Sequence, residues 1–114
     1  MAIEHARPLQ VIDVGPLGEH LEDRVSHSLI KTPQMQVIRM VLKAGRHVPE
    51  HHVTEEITLQ CLEGEAQIEV PGEAIHLMAR QLVLLPAGQP HAVRALTDTS
   101  LLVTILQPAE GGHR

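Results

Sequence analysis

Phenylalanine, tyrosine and tryptophan are all missing from the 114 residues of this chain. Without them there is no platform on which nucleobases stack, and sugar rings and quaternary ammonium groups lose their usual aromatic partners. Any ligand must be held by aliphatic walls and polar groups. Positive charge is also scarce: nine Lys and Arg stand against fourteen Asp and Glu, a formal net charge of -5, and they form no cluster. That argues against nucleic acids and anionic membranes as partners, and no helix-turn-helix pattern is visible. Glu4, His5, Arg7 and Pro8 stand where a secretory signal needs an apolar run, and no later stretch is long and apolar enough to span a bilayer. The expectation is a cytoplasmic protein. Cys61 is the only cysteine, which excludes an internal disulfide and a cysteine-based zinc finger. Within an apolar run it reads as packing. It adjoins no helix N-terminus, and no serine sits in a nucleophile elbow, so a nucleophilic hydrolase is disfavoured.

What the chain does have is histidine, nine residues, as many as Lys and Arg together. Hydrophobic residues make up 43% and charged residues 20%, ordinary values for a globular protein. The length suits one domain over residues 1–114, its core about 35–106, with a short N-terminal strand or turn extension and a frayed tail at Gly111–Arg114.

Short runs rich in Val, Ile and Leu recur between Pro and Gly, and none keeps a helical period. Strands are predicted at Leu9–Val14, Met35–Leu42, Ile57–Glu63, Ala66–Val70, Ala74–Leu77, Leu82–Leu85, His91–Ala95 and Leu101–Leu106. Pro71-Gly72 predicts a type II turn between two of them, and Leu62–Glu65 a tight turn around Gly64. Leu17–Arg24 is the one short helix or turn. Met35, Met40 and Met78 read as core filler. Strands of this number and spacing predict an all-β barrel or sandwich.

Two histidine-bearing clusters begin strands beside turn residues. One runs from Gly45 through His47, His51 and His52 to Glu56 and on to Gly64; the other is Pro86-Ala87-Gly88-Gln89-Pro90-His91. Here the chain resembles the cupin superfamily. Gly45, five intervening residues and His51 match the opening of its first motif, with Glu56 and Gly64 at the acid and glycine positions; Pro86, Gly88 and His91 match the second. Val53 replaces the first motif's second histidine, Arg80 the second motif's leading glycine and Ala95 its final asparagine.

The resemblance implies a single-domain cupin-type β-barrel, a double-stranded β-helix or jelly roll. It also implies one divalent transition metal (Fe, Mn, Ni or Zn) held by His51, Glu56 and His91, two imidazoles and a carboxylate that leave positions open for substrate. His47, His52 or Gln60 is a candidate fourth ligand, with His76 more distant. By strand alternation, an inward Glu56 carries Thr58 and Gln60 into the pocket beside Val53 and leaves Ile57, Leu59 and Cys61 on the outside, where a second subunit would cover them as a homodimer. The bland alternative reverses the strand and makes Ile57, Leu59 and Cys61 the core. His5, His20, His27 and His113 read as surface residues, and Arg39 and Arg94 as salt-bridge partners at a strand edge or, if they point inward, as groups that meet an anionic substrate. Two functions follow: a metalloenzyme of oxygenase, isomerase or decarboxylase type acting on a small polar molecule, or a metal-free module that binds one without turnover.

Overall fold

The computed structural model describes residues 5–23 and 26–107, and the predicted tail at Gly111–Arg114 and His113 lie outside them. Among the described residues nine strands follow one another: β1 His27–Lys31, β2 Met35–Leu42, β3 His47–His51, β4 Ile57–Glu63, β5 Glu65–Val70, β6 Glu73–Met78, β7 Leu82–Leu85, β8 His91–Ala95 and β9 Thr99–Leu106. They form two antiparallel sheets, β1-β2-β9-β4-β7 and β3-β8-β5-β6, packed as a jelly roll. Among the described residues the only helix is a 3-10 helix at Gly18–Asp23, within the predicted Leu17–Arg24.

Alternation along the strands sets the core. On β4, Ile57, Leu59 and Cys61 point inward and are buried, and register places them beside Ile105, Val103 and Leu101 of β9. The second sheet answers with Ala66 and Ile68 of β5, Leu77 of β6 and Val93 and Ala95 of β8. Each large aliphatic side chain removed from water here contributes roughly 1.5–3 kcal/mol. This reverses the expected parity: Thr58 and Gln60 face outward, because an uninterrupted apolar row gains more from the core than a polar row would.

Three other expectations change. Leu9–Val14 forms no strand; Leu9 lies in a turn with φ 73°, and ahead of it Ala6 N–H donates to the Leu29 carbonyl of β1. Two strands were not foreseen, β1 and β3. Both are sheet edges, β3 carries Pro49, and edge strands tolerate polar sequence and proline because one side needs no partner. Met40 packs on the core, but Met78 is largely exposed at the end of β6. Pro71-Gly72 makes the predicted turn, with Gly72 at φ 79°.

The two outer faces differ. That of the second sheet is polar: Glu69 meets His47 at 3.2 Å and Arg94 at 3.4 Å, and Glu65 meets His76 at 2.8 Å. On the first sheet, buried Arg39 donates to Ser100 Oγ at 2.8 Å and to the Gly15 carbonyl, and pairs with Glu63 at 3.6 Å. Glu63 accepts from the backbone N–H groups of Leu17 and Gly18 at 2.9 and 3.0 Å. The segment before β1 is thus strapped across that face from Arg39 of β2 to Glu63 at the end of β4.

Candidate functional site

The barrel has two ends. At one, the connection from β4 to β5 passes through Gly64, and Thr99 Oγ1 ties the start of β9 to Glu65. The other end is bordered by residues 52–56 and 86–90, joined by Gly88 N–H donating to the Val53 carbonyl at 2.9 Å. Both sequence motifs converge here.

His51 ends β3 and His91 begins β8, and the two are paired across the ladder on the inward face of the second sheet. Their ring centroids lie 4.3 Å apart at an interplanar angle of 58°. His51 Nδ1 lies 3.0 Å from the Pro49 carbonyl and His91 Nδ1 3.0 Å from the Gln89 carbonyl. A carbonyl only accepts, so each Nδ1 carries the proton and each Nε2 is left to present a lone pair. Nε2 of neither ring has a hydrogen-bond partner among the described residues. His51 is exposed, whereas His91 is buried. Burial pushes the His91 pKa below its ordinary value and the neighbouring His51 adds to that, against an opposing contribution from the Gln89 carbonyl. His91 is therefore held in the neutral form, a hydrogen-bond acceptor at Nε2.

The other expected site residues do not join this pair. Glu56 is exposed and lies beside the outward-facing row of β4, one residue out of phase with the interior. Ile57 is the inward residue at that level. The cupin acid precedes the motif glycine with six or seven residues between; seven reach Glu56 and six reach Ile57, and the fold turns Ile57 inward. His47 lies on the outer face of the second sheet with Glu69, and His76 is there with Glu65. Gln60 and Thr58 are on the outer face of the first sheet, paired with Leu82 and Leu84. His52 is exposed in the connection after β3, and Val53 is half-buried against the core. Among the described residues no group of three His, Cys, Asp or Glu is arranged to hold a metal ion. Two imidazoles without a carboxylate or third histidine do not fit the metal shell the motifs implied. The carbonyls of Pro49 and Gln89, which set both tautomers, were not singled out in the sequence; their signal is positional, each standing two residues before its histidine.

Cys61 is buried, and burial raises its thiol pKa, so it is packing and not a nucleophile.

Solved structures share the architecture. A conserved protein of unknown function from Streptococcus pyogenes superposes with a TM-score of 0.74 at 21% identity, covering 96% of this chain and 97% of that one. A cupin superfamily protein from Desulfitobacterium hafniense gives 0.70 at 23% identity, covering 73% and 76%. An RmlC-like cupin protein from Desulfovibrio desulfuricans gives 0.67 at 25% identity, covering 91% and 96%. No curated protein sequence gives a significant match. The family model described as Cupin domain matches residues 38–106, from β2 through β9. With that match over more than half its length and the jelly roll built around both motifs, the chain belongs to the cupin domain family.

Proposed function

We propose that this protein is a small-molecule-binding cupin whose site is the open end of the barrel, with His51 and His91 as polar anchors and no resident metal. The observation that carries the reading is the imidazole pair itself, two rings 4.3 Å apart with each Nδ1 fixed by a carbonyl and, among the described residues, no third ligand grouped with them. A neutral His91 Nε2 accepts a hydrogen bond, so it recognises a hydroxyl or N–H of the bound molecule. With no aromatic residue in the chain, the ligand's apolar part rests on aliphatic groups such as Val53.

A metal-dependent oxygenase or isomerase is the second reading, favoured by the two Nε2 atoms, since a carbonyl-tethered imidazole is also how proteins present a metal ligand. Bound iron, manganese, nickel or zinc would polarise a ligand oxygen. That reading needs donors beyond His51 and His91.

One experiment separates them. Untagged protein is analysed for metal and titrated calorimetrically with a panel of small hydroxy acids, polyols and amides, with and without EDTA. The expected outcome is substoichiometric metal, and an affinity that ignores EDTA but falls at least about tenfold, roughly 1.4 kcal/mol, in His51→Ala and His91→Gln. Stoichiometric metal, or affinity lost on chelation, overturns the metal-free reading.

A further inference from the structure

The carboxylates on the outer faces of the two sheets are paired: Glu63 with Arg39, Glu69 with Arg94 and His47, and Glu65 with His76. Those at the open end are not. Glu50 precedes His51, and half-buried Glu55 and exposed Glu56 lie in the connection that borders the site. Among the described residues none of the three has an ion pair or a side-chain hydrogen bond. Glu73 stands at the same end, because Glu69 lies opposite Ala92 and the β5–β6 turn that follows is level with His91. No Lys or Arg occurs in residues 47–57, 70–73 or 85–91, the segments around His51 and His91. Lys43, Arg46 and Arg94 lie toward the other end of β8. Lys31 is three strands from Ile57, through Gln36 and Ile105, roughly 14 Å at the ordinary strand spacing. Exposed charges are largely screened beyond about 8 Å in physiological salt, so no cation among the described residues offsets these glutamates.

Negative charge alone selects no ligand, but a buried histidine stands beside it. His91 is 1% exposed and lies on the inward face, and its Nε2 has no hydrogen-bond partner among the described residues. Its Nδ1 proton is given to the Gln89 carbonyl, so Nε2 accepts; the Pro49 carbonyl fixes His51 in the same tautomer, with the two rings 4.3 Å apart. Two adjacent acceptors are satisfied together by a group with several N–H donors. We infer that the open end selects a small organic cation bearing N–H donors, a primary ammonium compound, over neutral and anionic molecules of the same size. The inference rests on the reading of this end as a metal-free binding site. A primary ammonium carries three donors, enough for both Nε2 atoms, while its charge answers the glutamates. A quaternary ammonium has the charge without a donor, and the chain has no aromatic ring to receive it. A carboxylate brings no donor and is repelled. Val53, half-buried against the core, supplies an apolar wall for a short alkyl chain.

The test is an NMR titration of the His51 and His91 ring resonances of the full chain at pH 8, in EDTA and low salt. The probes share one alkyl chain: butylammonium, butyramide, butyrate and butyltrimethylammonium. Butylammonium should bind at least about tenfold more tightly than butyramide, with butyrate and butyltrimethylammonium weaker still. The gap between butylammonium and butyramide should close as sodium chloride is added. Glu55→Gln with Glu56→Gln should weaken butylammonium about threefold or more and leave butyramide unchanged. Neither side chain has a partner to lose among the described residues, so the double variant should keep the wild-type melting temperature. Butyramide or butyrate binding as tightly as butylammonium, or butylammonium indifferent to the two glutamines, overturns the charge selection and leaves the binding site standing. If none of the four probes moves the two histidines, or if the shifts appear only without EDTA, the metal-free site and the inference fall together.

Discussion

The two ends of the barrel are built from the same strands and held by different means. At the closed end the chain fixes itself: Thr99 Oγ1 accepts from Glu65 N–H at 3.2 Å and lies 2.9 Å from the Glu65 carbonyl and 2.7 Å from that of Thr97, Ala95 N–H donates to the Arg46 carbonyl, and Leu96 N–H to that of Glu65. At the open end, among the described residues, one backbone bond, Gly88 to Val53, joins the two bordering connections, β3 is irregular between Val48 and His51, and Nε2 of neither His51 nor His91 has a hydrogen-bond partner. The contrast places shape at one end and chemistry at the other. A connection that carries little of the fold's hydrogen bonding is free to present side chains for binding.

The contrast breaks most sharply at Gly64. A Cβ there would stand 2.2 Å from the Asp98 carbonyl oxygen and 2.9 Å from Thr99 Cα, both backbone, at a φ of 84° that side-chain-bearing residues rarely adopt. Gly64→Ala should cost about 4 kcal/mol or more in urea denaturation, or prevent folding. A loss under about 1 kcal/mol would show that the closed end yields as readily as the open one.

At the open end the expected large effect is on binding. Val53→His with Ile57→Glu places two donors at motif positions that the fold turns toward the interior. Because a buried carboxylate is costly without a partner, the metal-free double variant should melt lower than the wild type. Added zinc should be retained through desalting at about one per chain and raise its melting temperature, by mass action on the native state. Failure to retain zinc would mean that position 57 does not reach the imidazoles.

The smallest effect is on acid stability. The folded-state pKa of His91 lies below its ordinary value near 6.5, so the unfolded chain binds this proton more readily. Stability from keeping His91 neutral is complete above that value and is lost as pH falls below it toward the folded-state pKa. Denaturation midpoints from pH 8 to 5 should decline less in His91→Gln than in the wild type; parallel profiles would place the acid sensitivity elsewhere.

Most of the strands were legible because apolar runs between Pro and Gly leave few alternatives, as at Ile57–Glu63, Ala66–Val70 and Leu101–Leu106. The edges were not: His27–Lys31 and His47–His51 carry too few apolar residues to show a period of two, and their place is given by β2 and β8, distant in sequence. His51 and His91 were legible as a pair because turn residues fix their distance from each strand. Glu56 misled by a single residue. Its spacing to Gly64 satisfies the motif, but in a strand one residue exchanges inside for outside, and the apolar row Ile57, Leu59 and Cys61 settled which lay inside. The same reversal put Thr58 and Gln60 on the outer face of the first sheet, beside Leu84 and Leu82.

The strap over β2 also has a consequence in time. Its anchors come from three strands, Arg39 of β2, Glu63 of β4 and, through Arg39, Ser100 of β9, and the bonds span 24 to 61 residues of sequence. The bonds to Glu63 cannot form until β9 has settled between β2 and β4, so that end of the strap is expected to close after the barrier to folding and to open before the barrier to unfolding is crossed. Contacts made that late do not hasten assembly; they lengthen the life of the assembled state. Glu63→Gln should accordingly speed unfolding in stopped-flow measurements and leave refolding unchanged, whereas equal slowing of refolding would date the strap to the nucleus. On this view the segment before β1 sets how long the barrel lasts once formed.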